Sequence, residues 1–165
     1  MSLAERLQSA MTASIRGGGP MRRDTLRMAA SAAYNAQKAA GRPLNDDEML
    51  GVLSREVKQR HESVEAYRRA GREELAAREE AELAVLREFL PPTLDEAELR
   101  EMVHAAIEES GATSARDLGR VMSLLAPRTR GRADGRAVSA LVAQELARLD
   151  IGTHQVIHER PEEAR

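Results

Sequence analysis

Apolar residues recur at spacings of three and four along almost the whole chain, which is the pattern of helices that bury one face. The clearest example runs from residue 45 to residue 70, where the apolar positions are Met49, Val52, Leu53, Val57, Val64 and Tyr67. No segment of the sequence alternates apolar and polar residues in the way typical of a strand. The pattern predicts seven helices, at about residues 2–16, 21–40, 45–70, 72–90, 93–110, 114–126 and 134–149.

The predicted helix starts carry capping signals. In a capping box the N-cap side chain and an acidic side chain three residues later each bond the other residue's amide. The pairs with this spacing are Ser2/Glu5, Asn45/Glu48, Thr93/Glu96 and Ser114/Asp117. Asp134 is predicted to cap the last helix, and Gly17-Gly18-Gly19-Pro20 separates the first two helices because proline cannot continue a helix.

Two consecutive prolines, Pro91-Pro92, form the strongest break in the helical pattern. They lack amide donors and keep Leu90 out of the helical conformation. We therefore predict an all-α fold, with an N-terminal four-helix bundle joined to a C-terminal three-helix bundle at a Pro-Pro hinge. The predicted domains are residues 1–91 and 92–150, followed by a flexible tail at 151–165.

Composition narrows the class of protein. Aromatic residues make up only 2% of the chain, so the core must be aliphatic. The chain has no cysteine, which excludes disulfides, thiolate metal sites and a cysteine nucleophile. No apolar run approaches the roughly 20 residues of a membrane span, and residues 1–16 do not read as a signal peptide. These features predict a protein of the cytoplasm with no membrane partner.

Charge is distributed unevenly although the net charge is only −2. Residues 16–42 carry six basic residues and one acidic residue, and residues 127–136 carry four basic residues and one acidic residue. Residues 95–109 carry six acidic residues and one basic residue. Such asymmetry is typical of interaction surfaces, basic for a polyanion and acidic for a protein partner.

The sequence lacks the motifs of catalysis and of cofactor binding. The glycine run at residues 17–19 is not followed by the Lys-Ser/Thr pair of a phosphate loop, and no Gly-x-Ser-x-Gly elbow occurs. His154 and His158 share helical spacing, but no carboxylate at a fixed offset completes a metal site. His104 is interpreted as a boundary residue. We predict no catalytic residue, no metal and no cofactor.

A basic, glycine-containing loop before the seventh helix is the main candidate site. Glycines at a helix entrance leave amides open, and arginine forks match phosphate oxygens. The predicted nucleic-acid-binding residues are Arg128, Arg130, Gly131, Arg132, Gly135 and Arg136. An ordinary exposed turn capped by Asp134 is the alternative. A second candidate is a polar surface on the third helix, formed by Lys58, Arg60 and His61.

Three stretches of the chain resemble the YqeY family, the free-standing relatives of the C-terminal region of GatB. They are Thr25-Leu26-Arg27-Met28, then Glu56-Val57-Lys58-Gln59-Arg60 through Ala70-Gly71-Arg72 to Leu90-Pro91, and Gly111-Ala112-Thr113-Ser114 through Gly131-Arg132-Ala133-Asp134-Gly135 to Val138-Ser139-Ala140-Leu141-Val142. The resemblance implies a four-helix bundle followed by a three-helix bundle, which matches the count from periodicity.

The same resemblance implies a link to the glutamine-dependent amidation of mischarged tRNA, because GatB is the tRNA-binding subunit of the amidotransferase. The expected function is a non-catalytic helical module that contacts tRNA backbone, with tRNA or a tRNA-amidating enzyme as partner and no DNA. One alternative is a component of a carbon–nitrogen ligase with glutamine as amido-N-donor. Another is a protein–protein adaptor that uses the acidic fifth helix.

Overall fold

The computed structural model describes the backbone of residues 1–157 and the side chains of residues 1–150. Within these residues the fold is entirely helical, with seven α-helices and one 3₁₀ turn, as the periodicity predicted. The elements are α1 (Leu3–Gly17), α2 (Pro20–Ala40), α3 (Asp46–Arg69), α4 (Glu73–Arg87), α5 (Glu96–Ser110), the 3₁₀ turn Ala115–Asp117, α6 (Leu118–Thr129) and α7 (Gly135–Ile157).

Helices α1–α4 belong to a compact N-terminal unit, which consists of Met1–Pro92 together with Arg130–Arg132. Its core is built from leucine, alanine, valine and methionine, with Phe89 as the one buried aromatic residue. Helices α3 and α4 pack against each other along much of their lengths, and α2 packs against α1, α3 and α4. The start of α1 is held by the amide of Leu3, which donates to Asp46 Oδ1 at 2.9 Å.

Helices α5–α7 belong to a C-terminal unit, which consists of Thr93–Thr129 and the described residues from Ala133 onward. The core of this unit is a valine and leucine cluster contributed by all three helices. Its fully buried members are Val103, Val121, Leu125, Val138, Val142 and Leu146. Two units with separate cores accord with the predicted four plus three helices, and the flexible joint at Pro91-Pro92 stays a prediction.

Several helix ends differ from the prediction. The capping box of α5 is formed by Asp95 and Glu98, two residues later than the predicted Thr93 and Glu96. Helix α6 continues past Pro127 to Thr129, so this proline does not end the helix although it lacks an amide donor. Helix α7 continues to Ile157, so residues 151–157 of the predicted tail are helical, while 158–165 lie outside the described residues.

The remaining caps were predicted correctly. Ser2 with Glu5, Asn45 with Glu48, and Ser114 with Asp117 form capping boxes. Asp134 Oδ1 accepts from the amides of Arg136 and Ala137 at the start of α7.

Among the described helices, none has a stretch of apolar residues sufficient to cross a bilayer.

Candidate nucleic-acid interface

Gly131 fixes the path of the predicted basic loop. Its φ is +73°, in the left-handed region that residues with a Cβ rarely adopt. A Cβ at this position would lie 3.3 Å from Leu90 Cδ2, 3.4 Å from Ser54 Oγ and 3.5 Å from Pro91 Cδ. The loop backbone therefore lies directly on α3 and on the segment that follows α4, within the N-terminal unit.

Arg130, the residue before this glycine, lies over the N-terminal half of α3. The Cδ atom of Arg130 lies 3.9 Å from the place where a Cβ of Gly51 would be, so the aliphatic part of the arginine covers a helix position without a side chain. Beside it is an open cavity of about 350 Å³ in the N-terminal unit. The cavity is lined by Ala36, Leu44, Asp47, Glu48, Gly51, Val52, Arg55 and Arg130.

Replacing Gly131 by alanine is expected to lower the free energy of unfolding by about 1–2 kcal/mol, because left-handed backbone is costly for L-residues and the added methyl meets Leu90. Urea denaturation measures the change. Gly135→Ala is the matched control, since Gly135 is the first residue of α7 and a Cβ there meets no atom within 4 Å. Equal stabilities of the two variants would contradict the close packing of the loop on α3.

The other arginines of the predicted site have different surroundings. Arg128 forms a bidentate ion pair with Glu109, with nitrogen–oxygen distances of 2.9 and 3.1 Å, which lowers the pKa of Glu109 and raises the pKa of Arg128. Arg132 Nε donates to the carbonyl of Pro92 at 3.1 Å. The side chain of Arg136 is exposed and has no hydrogen bond or ion pair to a described residue. Arg130, by contrast, lines a cavity that a second arginine also lines.

That second arginine is Arg55, which the sequence analysis did not single out. Arg55 lies one turn after Gly51 on α3, and Lys58 follows Arg55 by three residues, so the two side chains are neighbours on the helix surface. The side chains of Arg55, Lys58 and Arg130 are exposed, and none forms a hydrogen bond or ion pair with any described residue. We call these three residues the α3 cationic cluster.

Carboxylates around the α3 cationic cluster are partly neutralised. Glu48 accepts from both terminal nitrogens of Arg42 at 2.7 and 2.9 Å, and this pairing lowers the pKa of Glu48 to about 2. Asp47 lines the same cavity and is exposed, and its carboxylate has no hydrogen bond or ion pair to a described residue. The cluster therefore keeps an excess of positive charge beside two uncompensated carboxylates, Asp47 and the exposed Glu62, which lies one turn after Lys58.

Arg60 does not belong to an exposed polar surface, contrary to the prediction for α3. It is 4% exposed and contacts carboxylates on both sides: Nη1 lies 2.9 Å from Glu56 Oε2, and Nε lies 3.1 Å from Glu82 Oε2. The reason is periodic, because residue 60 follows Leu53 by seven positions and precedes Val64 by four, which places it in the apolar stripe of α3. Arg60 is a structural residue.

The other two members of the predicted polar surface are exposed. Lys58 belongs to the α3 cationic cluster. His61 Nε2 lies 2.9 Å from Arg87 Nη2, and because arginine only donates, this ring nitrogen is the acceptor. His61 therefore forms a contact between α3 and α4.

The C-terminal unit contains a charge cluster that the sequence analysis missed. Glu145 is 8% exposed and accepts from Arg100, His104 and Arg148 at 3.0–3.1 Å. The pKa of Glu145 is lowered, chiefly by the hydrogen bond from His104, and then by the charges of Arg148, His104 and Arg100. The sequence indicates this cluster only through the position of Glu145, three residues after Val142 on the buried side of α7.

Several carboxylates of α5 form contacts within the protein. Glu96 pairs with Arg100 at 2.9 Å, Glu98 caps its own helix by accepting from the amide of Asp95, and Glu109 pairs with Arg128. Within the side chains that the structure describes, no group of histidines and carboxylates is arranged to hold a metal ion.

Comparisons with known proteins agree with the fold. The family model described as "Yqey-like protein" matches residues 4–146. The chain is 33% identical over 123 residues to "Altered inheritance of mitochondria protein 41, mitochondrial" of Pyrenophora tritici-repentis, covering 72% of this chain and 68% of that protein. It is 36% identical over 67 residues to an uncharacterized protein of Schizosaccharomyces pombe, covering 41% of this chain and 54% of that protein. The chain therefore belongs to the YqeY-like family.

Proposed function

We propose that this protein is a non-catalytic helical module that binds the phosphate backbone of tRNA through Arg55, Lys58 and Arg130. The observation that carries the proposal is the contrast between these cations and the others near them. Arg42 and Arg60, on or next to the same helix, are each paired with carboxylates. The three members of the α3 cationic cluster have no such partner within the described residues.

Exposed guanidinium and ammonium groups without a carboxylate partner are free to bind phosphate oxygens. Arginine presents a planar fork that matches a phosphate, and lysine supplies a point charge. Arg130 is held in place by the packing of Gly131, so less conformational freedom is lost when a phosphate binds. The ligand recognised in this way is a polyanion whose backbone runs along α3, with little dependence on base sequence.

The proposed link to glutamine-dependent tRNA amidation comes from membership of the family that resembles the C-terminal region of GatB. A role as adaptor would rely chiefly on Glu101 and Glu108, which are exposed and unpaired among the described residues, because Glu96, Glu98 and Glu109 of α5 form contacts within the chain. The chain has no cysteine and no phosphate loop, which supports a role without catalysis. We propose the cytoplasm as the compartment of the protein, whereas the Pyrenophora relative is named as mitochondrial.

The binding of unfractionated tRNA to the full chain tests this function. Replacing Arg55, Lys58 and Arg130 together by glutamine keeps length and polarity but removes three charges. We expect tRNA affinity at low salt to fall at least about tenfold, or about 1.4 kcal/mol. Helicity should be unchanged because all three side chains are exposed. Fluorescence anisotropy with labelled tRNA measures the affinity.

The matched control removes three charges elsewhere. The side chains of Arg16, Arg69 and Arg116 are exposed and have no hydrogen bond or ion pair to described residues, so their triple glutamine variant changes net charge equally. A second variant, Arg128→Gln with Arg136→Gln, tests two of the three remaining loop arginines. Equal loss in the control variant would attribute binding to general charge. Ammonia release from glutamine that is lost on a point substitution in this chain would support the carbon–nitrogen ligase alternative instead.

A further inference from the structure

The solvent-facing side of α2 carries an aromatic residue among cations. Tyr34 is 65% exposed, which is unusual in a chain with two tyrosines, one phenylalanine and no tryptophan. Leu26, Ala29 and Ala33 are the buried apolar positions of the helix, and Tyr34 faces away from them. Its phenol ring is therefore not part of the core.

Basic side chains follow the same face at helical spacing. Arg27 precedes Tyr34 by seven residues, Lys38 follows it by four, and Arg23 lies one turn before Arg27. All three are exposed. From Arg23 to Lys38 the helix rises about 22 Å, at about 1.5 Å per residue. We call Arg23, Arg27, Tyr34 and Lys38 the α2 stripe.

One carboxylate accompanies the α2 stripe. Asp24 Oδ1 lies 3.3 Å from Arg23 Nε and 3.8 Å from Arg27 Nη2, and these side chains are 43%, 47% and 71% exposed, respectively. Exposed ion pairs of this kind are weak and open readily to a competing anion. The ammonium group of Lys38 has no hydrogen bond or ion pair to a described residue. The stripe thus presents net positive charge on both sides of an accessible ring.

We propose that the α2 stripe binds a single-stranded polynucleotide, with Tyr34 stacked on an unpaired base and Arg23, Arg27 and Lys38 on the flanking phosphates. Surfaces that bind single strands combine a cationic track with aromatic rings, because every base has a face on which a ring can stack. An acidic peptide would use the charges but would leave the ring of Tyr34 without a planar partner. The stripe shares no residue with the α3 cationic cluster, so the two contacts can fail separately.

The test uses a 5′-labelled twelve-nucleotide oligouridylate and the full chain. Tyr34→Leu keeps an apolar side chain but removes the ring, and it is expected to weaken binding roughly 5- to 150-fold, the range for loss of one stacked base. Tyr34→Phe keeps the ring and is expected to bind within about twofold of the wild type, because the contact is made by the face of the ring. Both variants should fold normally, since residue 34 is exposed in the middle of a helix.

A direct readout is available because the chain has two tyrosines. In protein labelled with 3-fluorotyrosine, the ¹⁹F resonance of Tyr34 should shift on addition of oligouridylate, while that of Tyr67, which packs against a hydrophobic cluster, should not. Arg27→Gln with Lys38→Gln should weaken binding, whereas Arg69→Gln with Arg116→Gln should not. The triple glutamine variant of the α3 cationic cluster should retain the Tyr34 shift.

Three results would overturn the proposal. The first is no binding of oligouridylate by the wild type at low salt, and the second is equal binding by Tyr34→Leu. The third is a Tyr34 resonance that moves with oligoglutamate and stays in place with saturating oligouridylate, which would assign the stripe to an acidic protein. An oligodeoxyuridylate of the same length should bind within a few-fold of the RNA, because a base stack and phosphate contacts do not read the 2′-hydroxyl.

Discussion

Replacing Arg60 by alanine is expected to lower the free energy of unfolding of the N-terminal unit by about 3–5 kcal/mol. The guanidinium is buried between Glu56 and Glu82, whose side chains are only 18% and 15% exposed. Without the arginine Glu56 is left poorly solvated and without a counter-charge, and Glu82 keeps only the exposed Arg78, whose Nε lies 3.7 Å from Glu82 Oε1. The packing of the aliphatic stem is lost as well. Urea denaturation followed by circular dichroism measures the loss.

Two companion variants separate this effect from a general arginine effect. Arg55→Ala removes the same side chain from an exposed position of the same helix and should change stability by less than about 0.5 kcal/mol. Adding Glu56→Gln and Glu82→Gln to Arg60→Ala should restore part of the stability, because no buried charge remains unpaired. A cost below about 1 kcal/mol for Arg60→Ala alone would show that the buried ion-pair network is not needed for the fold.

Replacing Leu146 by alanine should destabilise the C-terminal unit by about 2–5 kcal/mol. Leu146 is fully buried in one cluster with Val103, Val121, Leu125 and Val142, and its truncation removes buried carbons and leaves a cavity. Leu149→Ala, on the same helix at a position that is 41% exposed, is the matched control and should cost much less. Hydrogen exchange with mass spectrometry locates the loss.

The same experiment tests the predicted boundary at Pro91-Pro92. If the two units unfold independently, amide protection in Leu146→Ala should fall in α5–α7 and remain in α1–α4. Equal loss of protection in both units would show a single cooperative domain and would contradict the predicted division.

The helices could be predicted from the sequence because their signals are local. Apolar periodicity and capping pairs are set by residues within one or two turns, and those pairs located the starts of α1 and α3. The start of α5 was displaced because Thr93/Glu96 and Asp95/Glu98 both satisfy the spacing rule, which does not rank overlapping boxes.

The candidate site could be predicted only in part, because it joins residues far apart in the sequence. Arg130 was identified from the basic loop, but its proximity to Arg55 depends on how Gly131 packs on α3, which no local pattern contains. Arg60 was misplaced for a different reason. Arginine is usually exposed, and this general preference predicted a surface position. The position of Arg60 in the stripe of Leu53, Val57 and Val64 instead places it in the interior.

The claim that the α3 cationic cluster binds RNA phosphates is tested most directly by the salt dependence of tRNA binding. The logarithm of the association constant is measured against the logarithm of salt concentration for the wild type and for the triple glutamine variant of Arg55, Lys58 and Arg130. Loss of three phosphate contacts should flatten the slope by about 2 to 3, at roughly 0.7–0.9 per contact. The Arg16, Arg69 and Arg116 variant should keep the wild-type slope. Parallel lines for the wild type and the cluster variant would contradict the claim.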